Sequence, residues 1–188
     1  MVCIGGGPSL TSDDVAFCRG RAHVVAINDA YRLAPWADLV YACDPSWWKW
    51  HKGVPKYRGM KFGLEAPDGP EFPSDVRLLQ NTGERGLEVS RWGVRTGCNS
   101  GYQAINVAVH LGASRIVLLG YDMQALRDGP SHWFGEHPNK IRSPYLKFLS
   151  TFPSLLEPLK QRNVSVMNAT RETALECFPR VSLVEALA

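Results

Sequence analysis

The sequence lacks most of the features that announce a function. It has no C-x-x-C pair: Cys3, Cys18, Cys43, Cys98 and Cys177 lie far apart. An odd set of scattered thiols reads as reduced cysteines in a cytoplasmic protein, not as a disulfide framework. There is no run of consecutive Lys or Arg, and the formal net charge is only +3. Nucleic acid and acidic membranes are therefore not the expected partners. No apolar stretch approaches the roughly 18 residues of a membrane span. No basic region followed by a long apolar stretch precedes "VCIGGGPSL", so no signal peptide is expected either. Internal repeats and low-complexity tracts are absent.

What remains is the composition of an ordinary globular domain, with 45% hydrophobic and 21% charged residues in a chain of 188. That length predicts a single domain over 1–188. Strands are expected at "MVCIG" (1–5), "HVVAIN" (23–28), "DLVYACD" (38–44), "VRLLQN" (76–81), "RIVLLGYDM" (115–123) and "VSVMNA" (164–169). Several are continuous in Val, Ile and Leu, as parallel strands covered on both faces are. Between the first two, "TSDDVAFCRG" predicts a helix capped by Ser12 and stopped at Gly20. "NSGYQAINVAVHLGA" (99–113) predicts a buried helix with Asn99 or Ser100 as cap and Gly112 as terminator. A later helix is expected over 143–162, broken or kinked at Pro153 and Pro158. The stretch 53–75, rich in proline and glycine, reads as a loop or lid. The fold class is therefore α/β: one Rossmann-like domain with a doubly wound, mostly parallel sheet and a lid-like loop.

In such sheets ligands bind beyond the carboxyl ends of the strands. Those ends carry Gly5-Gly6-Gly7-Pro8-Ser9, Asn28-Asp29, Asp44-Pro45-Ser46 and Gly120-Tyr121-Asp122. Glycines between a strand and a helix let backbone amides approach a phosphate, although a tight turn explains them as well. Neither G-x-G-x-x-G nor a P-loop is present. "RTGCNSGYQ" adds Thr96, Asn99, Ser100 and Gly101 at a helix start, suited to an anion or a sugar hydroxyl. After the fifth strand, "SHWFGEHPN" concentrates His132, Trp133, Phe134, Glu136 and His137 outside regular structure. His132, Glu136 and His137 lack the H-E-x-x-H spacing of a metal helix, so no metal is expected. A general base is the better use of such an imidazole, whose ordinary pKa is about 6.5. His23, His51 and His110 read instead as packed, hydrogen-bonded side chains. Cys3 and Cys43 read as small buried hydrophobes. Trp47, Trp48 and Trp50 read as a contact with another copy of the chain, which would make a homo-oligomer, or as a sugar platform.

"GGGPSL", "AIND", "YACDPSWW", "TGCNSGYQAINVAVHLGASRIVLLGYDM" and "SHWFGEHP" occur in that order. Together they resemble the bacterial CMP-sialic-acid sialyltransferases of the glycosyltransferase family 42 type. They also resemble the related motility-accessory and hydroxymethylpterin pyrophosphokinase-like proteins, a superfamily with phage and prophage members. The resemblance implies an inverting, metal-independent glycosyltransferase that needs no cofactor beyond a nucleotide-sugar donor, CMP-linked, and a hydroxyl acceptor. It implies that Gly5 to Ser9 and Asn28 hold the phosphate and ribose, that Asp44 reads the base and its ribose, and that Ser100 and Gly101 bind the donor sugar. It makes His137 the base, with His132 in the same loop and Trp133 flanking the sugar site. Gly6 and Asp44 stand where those enzymes carry asparagine, one extra residue separates Gly135 from His137, and Gln124 replaces a tyrosine that supports the departing phosphate. The alternatives are a pyrophosphokinase-like transferase using ATP and magnesium, with Asp44 and Asp122 near the metal, and a non-catalytic nucleotide- or sugar-binding phage accessory protein.

Overall fold

A computed structural model describes residues 1–66, 69, 71–125, 129–136 and 143–188. Among them lies one eight-stranded sheet with the spatial order β6-β5-β4-β3-β2-β1-β7-β8. The strands are β1 (Val2–Ile4), β2 (Val24–Ile27), β3 (Leu39–Tyr41), β4 (Met60–Leu64), β5 (Arg77–Asn81), β6 (Gly93–Val94), β7 (Arg115–Leu119) and β8 (Ser165–Asn168). Every pairing is parallel; Ile4, for example, lies opposite Ala26 on one side and Leu119 on the other. The chain winds outward from β1 through β6 and then returns to the other side of β1 with β7 and β8, so the order reverses at β1. That reversal opens a crevice between β1 and β7 at their carboxyl ends.

Alternate residues of the inner strands enter two separate cores, because successive side chains point to opposite faces. Cys3, Val25, Ile27, Leu39 and Leu118 pack with Tyr102, Ile105 and Phe152 on one face. Val2, Ile4, Val24, Ala26 and Val40 pack with Val15, Trp47 and Trp48 on the other. This two-sided burial is why the strands are continuous apolar runs.

The helices are α1 (Ser12–Cys18), α2 (Pro45–Trp50), α3 (Ser100–His110), α4 (Tyr145–Thr151), α5 (Leu156–Gln161) and α6 (Leu183–Ala186). The cap of α1 is Thr11, not Ser12: Thr11 and Asp14 form a reciprocal capping box. The expected helix over 143–162 is divided by a 3-10 turn at Phe152–Leu155 that begins beside Pro153, whereas Pro158 is accommodated within α5. The expected lid at 53–75 contains β4, whose register beside β3 outweighs its glycine and proline content. Its buried Lys61 donates to the Gly53 carbonyl at 2.7 Å and to Asp75 at 2.6 Å, tying both flanks of the strand together. The aromatic cluster is also corrected. Trp47 and Trp48 are 2% and 0% exposed in the chain's own core, and only Trp50, at 37%, reaches the surface. No helix among the described residues is long and apolar enough to cross a membrane.

Candidate functional site

A cleft of about 340 Å³ opens at the carboxyl ends of β1, β2, β3 and β7, within the size range of small-ligand sites. Its wall includes Gly5, Gly6, Gly7, Asn28, Asp44, Asn99, Ser100, Gly101, Asp122 and His132. These residues come from the glycine loop after β1, the ends of β2, β3 and β7, the start of α3 and the loop that follows β7. Three predicted contacts do not line it. Ser9 turns away: its amide donates to Asp122 Oδ2 at 2.8 Å and its hydroxyl accepts from the Glu172 amide. Thr96 uses its carbonyl to hold Gln103 and the Asn99 amide, inside the α3 start. Trp133 packs on the second core beneath Arg32, whose guanidinium lies 5.5 Å over its ring. His137 lies outside the described residues, as do Pro138 and Asn139 of the same motif.

The glycine loop works differently from the expectation. A Cβ on Gly5 would lie 2.6 Å from the Gly120 carbonyl oxygen, and one on Gly7 would collide with the Asp122 carboxyl. These two glycines are there so that β1 and β7 can approach closely. Their amides are spent in the process, Gly5 on the Leu119 carbonyl at 2.7 Å and Gly7 on the Gly120 carbonyl at 2.9 Å. The start of α1 is closed as well. Asp14 accepts from Thr11 and takes two bonds from Arg171, at 2.7 and 2.8 Å. The anion cradle expected from "GGGPSL" is therefore reduced to the amide of Gly6, because the chain's own carbonyls and carboxylates already satisfy its neighbours.

The α3 side of the cleft is polar. Asn99 caps α3, accepting from the Tyr102 amide at 2.8 Å. Ser100 Oγ sits 3.5 Å from Asn28 Oδ1 and 3.1 Å from Cys43 Sγ, joining the ends of β2 and β3 to the helix. Burial pushes the Cys43 thiol above its ordinary range, while the Ser100 bond pulls the other way. Asn28, Cys98 and Met123 each line the cleft with positive φ, at 51°, 59° and 51°. Such backbone is uncommon for residues other than glycine and concentrates at functional sites.

Asp122, 1% exposed, has one oxygen on the Ser9 amide and one without a partner among the described residues. Burial raises its pKa, the Ser9 bonds oppose that rise, and Glu172 adds to it. Asp44 uses Oδ1 to cap α2 through the Ser46 amide at 2.7 Å. Among the described residues no group of three His, Cys, Asp or Glu side chains could hold a metal ion.

His132 enters the cleft wall stacked on Phe134, with ring centroids 4.9 Å apart and planes 1° from parallel. Its Nδ1 lies 3.3 Å from the Gly6 carbonyl. A carbonyl only accepts, so that contact puts the proton on Nδ1 and makes Nε2 the basic nitrogen of the neutral ring. Trp47 and Trp50, two of the three tryptophans offered as a sugar platform, line the aromatic side of the cleft, and sequence reasoning missed their partners there, Tyr145 and Phe148. Tyr145 stands where α4 begins, its hydroxyl 3.3 Å from the Ser131 carbonyl, and burial raises its pKa. Nothing local marked Tyr145 and Phe148, since α4 reaches the cleft only through tertiary packing. Compared with known proteins, the chain matches no family model, no curated protein and no solved structure.

Proposed function

We propose that the cleft binds a nucleotide-sugar, CMP-linked, and that the protein transfers the sugar to a hydroxyl acceptor with inversion and without a metal. One observation carries this reading. Polar residues nominated from separate strand ends and from the α3 start line a single cleft at the point where strand order reverses. In this reading the acceptor oxygen bonds to the anomeric carbon as the bond from that carbon to the phosphate oxygen breaks. The acceptor proton passes to an imidazole of the 131–139 segment, His137, and His132 of the same segment lines the cleft wall. The α3 side, with Ser100 and Gly101, holds the donor rather than the internally satisfied glycine loop. The Tyr145 hydroxyl, which donates to the Ser131 carbonyl at 3.3 Å, turns to the departing phosphate in place of the tyrosine that Gln124 replaces.

Thermal shift with CMP, UMP, AMP and GMP, each with and without EDTA, tests the ligand. CMP stabilises most, and EDTA leaves the shift unchanged. A preference for AMP that EDTA abolishes would favour the ATP- and magnesium-dependent alternative. With a CMP-sugar donor and an acceptor screen, His137→Ala loses about 100-fold or more in turnover with donor affinity nearly unchanged. Tyr145→Phe slows transfer while nucleotide affinity holds. Full activity in His137→Ala would remove that residue as base. Nucleotide affinity without turnover in any screen would leave a binding module.

A further inference from the structure

Beside the cleft, and sharing Trp47 with its wall, lies a buried polar knot. Asp29 follows the cleft residue Asn28 and is 4% exposed. Trp47 Nε1–H donates to its Oδ2 at 2.9 Å, and Arg32 approaches its Oδ1 at 3.3 Å. His51 Nε2 is 3.6 Å from the same carboxylate, while its Nδ1 lies 2.9 Å from the Tyr31 hydroxyl. The His51 ring stacks on Trp47 at 4.2 Å, and Tyr31 meets Trp47 edge-on at 5.7 Å. Burial pushes the Asp29 carboxyl up, but His51, Trp47 and Arg32 outweigh it and hold it ionised. The knot thus ties the segment after β2 to α2, and α2 presents Trp47 and Trp50 to the cleft.

A six-residue helix has little stability of its own. Trp48 anchors it by packing and by donating to the Ala42 carbonyl at 2.9 Å. The packing of one indole does not fix the helix's rotation; a charge-assisted bond to a second indole does, because buried polar networks specify one arrangement. Asn28, with φ at 51°, is held in the same turn that carries Asp29. One carboxylate therefore controls two walls.

We infer that Asp29 is a positioning residue of the cleft, acting through the Trp47 indole to hold the α2 wall against the Asn28 side. The assignment rests on the reading of this cleft as the functional site. Its test needs no nucleotide, because Cys43 lies in the cleft wall immediately before α2 and reports on that wall's opening. Alkylation by iodoacetamide is followed at each cysteine by mass spectrometry in the wild type and in Asp29→Ala, Asp29→Asn, Trp47→Phe and the Asp29→Ala/Trp47→Phe double variant. Asp29→Ala and Trp47→Phe each raise the Cys43 rate about tenfold, the loss of one charge-assisted hydrogen bond. The double variant is no faster than either single change. Asp29→Asn, which keeps an acceptor for the indole but removes the charge, falls between wild type and Asp29→Ala. Cys3 and Cys18, both fully buried, keep their slow rates.

An unchanged Cys43 rate in Asp29→Ala, additive effects in the double variant, or Cys3 and Cys18 accelerating together with Cys43 would each overturn the assignment. The last outcome would reduce Asp29 to a residue of general stability. Should Asp29→Ala not fold, Trp47→Phe against Asp29→Asn carries the same comparison. A wild type that binds none of the nucleotides would end the glycosyl-transfer reading, while the labelling rates decide this one separately.

Discussion

Gly6 and Gly7 are neighbours of identical chemistry under opposite constraints. The space for a Cβ on Gly7 is taken by the Asp122 carboxyl, with the Gly120 carbonyl 2.7 Å away. Among the described residues, a Cβ on Gly6 would meet only Phe134 at 3.4 Å and His132 at 3.5 Å, ordinary contact distances. Gly7→Ala should cost about 1–3 kcal/mol, as overpacking does, whereas Gly6→Ala should stay within about 0.5 kcal/mol. Urea unfolding of the two variants checks this, and a Gly6→Ala as costly as Gly7→Ala would refute the packing account. The triple glycine was visible in the sequence, but its reason was not. A phosphate cradle and a close strand-to-strand approach use the same residues, and only the partner of each missing Cβ separates them.

At the scale of elements, α3 was the most legible part of the chain, because its cap, apolar body and stop all agree. Asn99 is its cap, and Asn106 inside it ties the 88–95 segment, accepting from the Glu88 amide at 2.9 Å. Asn99→Ala should lower stability by about 1 kcal/mol, a melting shift of roughly 2–4 °C for a chain of this size. Calorimetry measures it, and no shift would mean that the start of α3 is held by its tertiary contacts alone. Elements whose local signals conflict were misread. β4 hid among glycines and prolines because its stability comes from pairing with β3 and β5. α2, with three tryptophans in six residues, resembled an exposed patch until the second core claimed two of them.

For the whole molecule, acid stability follows from where the carboxylates sit. The Thr82 hydroxyl and the amides of Ser90 and Val89 hold Glu88 down to about 2, from an ordinary value of 4.5. The unfolded chain therefore binds a proton at Glu88 more readily than the folded one. This contribution is fully present above pH about 4.5 and is lost as pH falls toward about 2. Asp14 and Asp29 are lowered and act in the same direction, whereas Asp122 is raised and opposes them. Glu88→Gln should flatten the fall of stability with pH in that window and leave the rest of the profile in place. Denaturant midpoints measured across it test the claim, and an unchanged slope would contradict it.

Read alone, the amino-acid sequence determined the α/β class, the inner strands, α3 and the strand-end residues of the cleft, since these follow from periodicity and turn chemistry within a few neighbours. The tertiary structure decided what depends on contacts far apart in the chain. It set the order of the eight strands and brought Tyr145 and Ser100 into the wall of one cleft. It turned Ser9, Thr96 and Trp133 away from that cleft and spent the Gly5 and Gly7 amides on β7 and the residue that follows it. A backbone donor is free or taken only once its partner has arrived, and here the partners come from more than a hundred residues away.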